Sequence, residues 1–148
     1  MCNLKNERSQ FQPRIPQVLQ DICATSFIAS TLPMNDAAIA SQFVKTANRP
    51  IVLCKKDQPN SSRPLKVGVV FSGGQAPGGH NVVTGLFDAL KKLHPQSILV
   101  GFLDGPSGII HNQTLSLTAD LLSQYRNTGG FDLIGSGRTK IETEQDLA

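Results

Sequence analysis

From Lys66 onward the apolar positions come in blocks whose period changes, and each change predicts an element. Val67-Gly68-Val69-Val70-Phe71 is a short continuous apolar run that ends in glycine-rich sequence, which predicts a strand over 67–71. Val82, Val83, Leu86, Phe87, Leu90 and Leu93 then recur at helical spacing and predict a helix from about Gly79 to Leu93, closed by Pro95. Residues 97–103 read as a second strand and the Gly/Pro-rich 104–108 as a loop. Ile109-Ile110 and Thr114-Leu115-Ser116-Leu117 read as short strands of a hairpin. Thr118 can cap a helix that carries Leu121, Leu122 and Tyr125 and stops at Gly129-Gly130. Phe131-Asp132-Leu133-Ile134-Gly135 reads as a further strand. Strands alternating with helices predict an α/β chain, with a Rossmann-like, mainly parallel sheet joined by right-handed crossovers and here incomplete.

Residues 1–63 have no sustained period and are punctuated by Pro13, Pro16, Pro33, Pro50 and Pro59. Asp36 to Ala47 predicts one short helix, with Ile39, Phe43 and Val44 at helical spacing after the Asn35-Asp36 cap signal. Pro50-Ile51-Val52-Leu53-Cys54 reads as an edge strand, and Asp57 to Pro64 as a polar linker. The division expected is therefore an irregular N-terminal arm and linker over 1–63, then the start of an α/β domain over 64–148.

Composition narrows the function classes. Hydrophobic residues are 39% and charged residues 17% of a 148-residue chain, a globular rather than disordered balance at one-domain length. Aromatics are 5%, with no Trp, which argues against a base-stacking platform for nucleic acid. The net charge of +3 is uneven: residues 1–65 hold eight Lys/Arg against four acids, whereas 66–148 hold six against seven. The excess forms no basic run, so nucleic acid is not expected as a partner. Cys2, Cys23 and Cys54 are scattered and odd in number, which suits reduced thiols better than disulfides or zinc. The polar start lacks a signal-peptide core, and no stretch approaches the roughly 20 apolar residues of a membrane span. A cytoplasmic location with no membrane partner is the expectation.

The chemistry concentrates in Ser72-Gly73-Gly74-Gln75-Ala76-Pro77-Gly78-Gly79-His80-Asn81, between the first strand and the first helix of the α/β part. Four glycines in seven positions open the backbone to close approach, so that N–H groups can meet an anion at the positive end of the helix. The pattern says phosphate without saying which. Gly73 and Gly78 have P-loop separation, but Gly79-His80 stand where a P-loop has its Lys and hydroxyl. The adjacent Gly73-Gly74 also break the dinucleotide fingerprint, and Asp104 in Asp104-Gly105-Pro106 reads as a turn residue rather than a ribose ligand.

Residues 67–81 closely resemble the first strand and loop of the phosphofructokinase family. The Gln-Ala-Pro-Gly-Gly-His-Asn version resembles its long, plant-type diphosphate-dependent branch. Further segments resemble that branch in the same order: Gly101-Phe102 with Gly105-Pro106-Ser107-Gly108-Ile109, then Tyr125 to Asp132, then Ser136 to Thr143. Phe11 to Leu19 is similar to its N-terminal arm. The resemblance implies a transferase that moves a phosphoryl group from diphosphate to the 1-hydroxyl of fructose 6-phosphate, giving fructose 1,6-bisphosphate in glycolysis. It also implies Mg²⁺ and a homo- or hetero-oligomer.

The resemblance also gives residues their parts. Gly73, with Gly74 beside it, is expected against the diphosphate, while Gln75, Gly78 and Gly79 shape the turn and helix start. Arg138, after Ser136-Gly137 at the carboxyl end of a strand, is expected to be the catalytic cation. It would reach the transferring phosphate, where a planar guanidinium neutralises developing charge. Lys140 reads as an exposed lysine, His80 as a structural hydrogen-bonding group at the helix start, and Tyr125-Arg126-Asn127 as packing and capping residues. No metal ligand set is expected here; the family's Mg²⁺-associated Asp would lie beyond residue 148. So would its catalytic base and sugar-phosphate clamp.

Thr143-Glu144-Gln145-Asp146 carries a helix-start signal, and Leu147-Ala148 would only begin that helix. The expectation is an N-terminal fragment, inactive alone. Alternatives are a piece of a non-catalytic regulatory subunit, a piece of an ATP-using 6-phosphofructokinase, or an unrelated anion-binding α/β module.

Overall fold

A computed structural model describes residues 4–31, 36–47, 49–59 and 62–147. In chain order these form helix α1 (Leu4–Gln10), strand β1 (Thr25–Thr31), helix α2 (Ala37–Gln42) and strand β2 (Pro50–Lys56). Strand β3 (Lys66–Val69), helix α3 (Gly79–Leu93), strand β4 (Ile98–Phe102), helix α4 (Pro106–Ile110), strand β5 (Thr114–Ser116) and helix α5 (Ala119–Ser123) follow. Single 3₁₀ turns occupy Gln17–Leu19, Ile22–Ala24 and Glu144–Leu147. The chain divides into two compact units, one of residues 14–61 and one of residues 1–13 with 62–148.

In the 14–61 unit, β1 and β2 pair antiparallel, with Phe27 opposite Cys54 and Ile28 opposite Leu53. The sequence gives no alternating signal for β1, because Thr25, Ser26, Ser30 and Thr31 surround its apolar residues on both faces. Strand β2 begins at the expected Pro50, where the missing N–H costs no ladder bond, but it runs on to Lys56. Helix α2 is shorter than the expected 36–47. The Asp36 carboxylate caps it, accepting from the N–H groups of Ala38 and Ile39 at 2.9 and 3.2 Å. Asn35, the other half of that cap signal, lies outside the described residues.

In the larger unit the sheet order is β3-β4-β5. Strands β3 and β4 are parallel, with Val67 opposite Leu99, whereas β5 runs antiparallel to β4, with Leu115 opposite Gly101. The sheet is thus small and mixed rather than mainly parallel. Helix α3 has the expected bounds and buries Val83, Phe87 and Leu90 into a core with Leu99, Leu122 and Ile134. Val82, expected on that face, is 59% exposed. Burial on this scale, about 25 cal/mol per Å² of apolar surface, is what holds the helix to the sheet.

Two expected strands are absent. Ile109-Ile110 belong to α4 instead, because Gly105 (φ 75) turns the chain and Pro106 is preset for the first helical position. Residues 131–135 form a turn at 132–134 instead of a strand. Two backbone groups that a ladder would need are engaged elsewhere. The Leu133 N–H donates to the His80 ring, and the Ile134 carbonyl accepts from the Asp104 N–H at 2.8 Å. What remains of the pairing is one parallel bridge between Ser72 and Gly137. At the end of the chain, Glu144–Leu147 is one 3₁₀ turn whose Asp146 carboxylate accepts from the Glu142 and Thr143 N–H groups at 3.0 and 2.8 Å.

Candidate diphosphate site

Three backbone segments meet beyond the ends of β3 and β4. The Gly73 N–H donates to the Gly137 carbonyl at 2.8 Å, and the Gly137 N–H donates to the Phe71 carbonyl at 3.4 Å. Gly105 and Gly137 pass so closely that a β-carbon on either would collide with the other segment's backbone. Glycine is required at this crossing by the contact itself. The crossing brings the 72–74 loop beside residue 138, although 66 positions of chain separate them.

Gly73 and Gly74 then play different parts. Gly73 sits at φ 111, and a β-carbon there would meet nothing within 4 Å, so open space faces it. A β-carbon on Gly74 would lie 3.0 Å from Nη2 of Arg138. The Arg138 guanidinium therefore rests over Gly74. Ser72, Gly73, Pro106, Arg138, Thr139 and Lys140 line an open cleft of about 620 Å³ at this point. Lys140 pairs with Glu142 at 3.3 Å, with both side chains largely exposed. The cleft can accept an anion that takes its charge neutralisation from Arg138.

The start of α3 differs from the expectation that it would face an anion. Gly78 (φ 98) precedes the helix in the left-handed region, and its N–H donates to the Gly129 carbonyl at 2.8 Å. The His80 N–H donates to the Gly130 carbonyl at 2.9 Å. These two donors are therefore satisfied by protein, unlike those of a P-loop. Gly79 is buried against the Phe131 ring, which leaves no room for a β-carbon and stacks on Phe71 with centroids 4.3 Å apart. Gly78 and Gly79 shape the turn, as expected.

His80 also takes the expected structural place: it is 3% exposed, and its ring bonds Thr128 and the Leu133 N–H. The Tyr125-Arg126-Asn127 group holds elements together. Arg126 makes a bidentate pair with Asp88 of α3 at 2.8 and 2.9 Å, and this carboxylate raises the guanidinium pKa further. Asn127 Nδ2 donates to the carbonyls of Arg8 and Phe11, pinning the end of α1. Asp104 stands at φ 57, in the left-handed region, within its turn. Sequence reasoning did not reach the Gly105–Gly137 crossing. Its signal was the Gly135-Ser136-Gly137 spacing, too common a pattern to read alone.

No family model matches the chain. Curated relatives do. The chain is 43% identical over 98% of its length to a pyrophosphate–fructose 6-phosphate 1-phosphotransferase of Treponema pallidum, of which it covers 28%. It is 45% identical over 95% of its length to the enzyme of that name from Porphyromonas gingivalis, covering 26%. It is also 49% identical over 78% of its length to subunit beta 1 of the Arabidopsis thaliana pyrophosphate–fructose 6-phosphate 1-phosphotransferase, covering 21%. The chain thus spans about a quarter of the length of the curated relatives it matches. Along nearly all of its own length the chain is thus a homologue of proteins named pyrophosphate–fructose 6-phosphate 1-phosphotransferase.

Proposed function

We propose that this chain supplies the phosphoryl-donor side of a diphosphate–fructose 6-phosphate 1-phosphotransferase. In that reaction the 1-hydroxyl oxygen of fructose 6-phosphate forms a bond to one phosphorus of diphosphate. The bridging P–O bond breaks, and phosphate leaves with that electron pair. Such a transfer depends on positioning and charge neutralisation more than on covalent help from protein. Arg138 meets both needs: its planar fork holds two oxygens at once and neutralises charge that grows on them. Gly73 and Gly74 keep side chains out of the path, so that the diphosphate can lie on the backbone beneath the guanidinium. One observation carries the reading: Arg138 Nη2 lies over Gly74 beside the open face of Gly73, in a chain whose relatives bear this activity's name.

Mg²⁺ would screen the diphosphate charge. Among the described residues no group of three or more His, Cys, Asp or Glu comes together; the metal's ligands would come from the rest of the protein, and no step here runs through it. The base that takes the hydroxyl proton and the clamp for the sugar phosphate would likewise come from the rest of the protein. In that protein, residues 1–63 would be an arm and linker. Strands β3 and β4 would belong to a wider, Rossmann-like parallel sheet that starts at about residue 64. Subunits named in the Arabidopsis relative support an oligomer, of like or unlike chains. No helix among the described residues is long and apolar enough to cross a membrane; the complete protein would be a cytoplasmic enzyme of glycolysis.

A coupled assay of the complete gene product, with diphosphate and ATP compared as donors, tests the proposal. Fructose 1,6-bisphosphate should form with diphosphate. Turnover with ATP alone, or none with either, would refute it.

A further inference from the structure

The buried ring of His80 takes no part in the chemistry just described, yet each of its nitrogens is committed. The Thr128 hydroxyl donates its proton to the Tyr125 carbonyl at 2.7 Å. Its oxygen must therefore accept from His80 Nδ1, 2.7 Å away, which places the ring proton on Nδ1. Nε2 is left as an acceptor and receives the Leu133 N–H at 3.1 Å. An Asp132 oxygen also lies 3.1 Å from Nε2 and would suit a protonated ring. That arrangement would strip a buried backbone N–H of its partner, whereas Asp132 is 82% exposed and solvated without the ring. With its proton on Nδ1 the ring serves both the Thr128 hydroxyl and the Leu133 N–H. The Tyr125 ring, edge-on at 4.9 Å, holds its orientation.

We propose that His80 is a positioning residue. Its imidazole clasps residues 128–133 to the start of α3 and thereby sets Arg138 against Gly73 and Gly74. The functional half of this inference rests on the phosphotransferase reading. Backbone bonds join the two segments from Gly78 to Gly129, from His80 to Gly130 and from Gly73 to Gly137, and the ring adds the side-chain bonds to Thr128 and Leu133. A β-carbon on Gly130 would fall 2.5 Å from the ring, so the segment closes tightly around it. Leu133 lies five positions before Arg138. Loss of its anchor frees the 132–134 turn and lets the guanidinium drift from the loop. Histidine suits the task because a donor and an acceptor sit at fixed separation on one rigid ring. Asparagine reproduces only the Nδ1 side and glutamine only the Nε2 side.

The test uses the complete protein with His80→Asn and His80→Gln, each also combined with Arg138→Ala. Amide hydrogen exchange at Leu133 should quicken about tenfold or more in His80→Asn and stay near wild type in His80→Gln, which keeps an acceptor there. In turnover with diphosphate, His80→Asn should lower kcat about tenfold or more, as displaced catalytic groups do, with the KM for fructose 6-phosphate within about twofold. His80→Gln should retain more activity. In the Arg138→Ala background either substitution should cost less than about twofold, because the group it positions is gone. Unchanged exchange at Leu133 in His80→Asn, or full additivity with Arg138→Ala, would overturn the proposal. A wild-type protein without diphosphate-dependent turnover would remove the phosphotransferase reading, and the positioning role with it. The exchange pattern would then still report whether the clasp exists.

Discussion

Gly73 and Gly74 stand side by side, but different physics protects each from substitution. Gly73 has room for a side chain and the wrong backbone for one: at φ 111 an L-residue is strained by about 1–3 kcal/mol, whatever the space. Gly73→Val should therefore destabilise the loop and also place a branched side chain where diphosphate would lie. In the complete enzyme turnover should fall strongly while circular dichroism stays native. Wild-type kinetics would remove Gly73 from the site. Gly74→Ala works through Arg138 instead, since the new β-carbon would crowd Nη2 from 3.0 Å. The guanidinium is the far end of a flexible side chain, so the fold should hold within about 0.5 kcal/mol by urea titration. The KM for diphosphate should nonetheless rise.

At the scale of elements, the crossing of the 104–105 and 136–137 segments leaves no room for a β-carbon on Gly105 or Gly137. Gly137→Ala would drive a β-carbon into the Asp104 carbonyl, backbone against backbone. A loss of more than about 3 kcal/mol is expected from urea unfolding of the complete protein, because neither neighbour can move cheaply. The final turn responds to pH. Hydrogen bonds from the Thr143 and Glu142 N–H groups hold the Asp146 carboxyl below its usual pKa. A pKa depressed in the folded state gives stability that is present above the ordinary carboxylate value, about 3.9, and lost as pH falls through the folded value. Amide exchange at Thr143 should therefore quicken only below about pH 4, and Asp146→Ala should abolish that pH dependence. Helix α3 was legible in the sequence because one face is apolar at helical period, and strands β3 and β4 because each lies in a short continuous apolar run. Strand β1 was hidden by Ser and Thr on both faces. The 131–135 stretch looked like a strand for its Phe-x-Leu-Ile run, but the His80 ring and the Asp104 N–H claim its backbone, and no local pattern reports such long-range bonds. The turn glycines of the site could be read directly. Family likeness led only to the expectation that Arg138 and the Gly73-Gly74 loop meet the same phosphate; that Arg138 lies over Gly74 comes from a tertiary crossing, not a motif.

For the whole molecule, under the proposed function the mixed three-stranded sheet and the cleft beside Arg138 would be one side of a site, in a chain a quarter as long as its relatives. Residues 1–148 alone should accordingly give no fructose 1,6-bisphosphate from diphosphate and fructose 6-phosphate; measurable turnover by the purified chain would show that it holds the remaining catalytic groups itself. Under the proposed function Arg138, delivered onto the glycine loop, stabilises the phosphoryl group in flight. Steady-state kinetics of Arg138→Lys in the complete enzyme, with diphosphate as donor, test it most directly. Lysine keeps the charge and loses the planar fork. If Arg138 acts in the transition state, kcat and kcat/KM should fall together, by about tenfold or more. A change confined to KM, or none at all, would contradict the account.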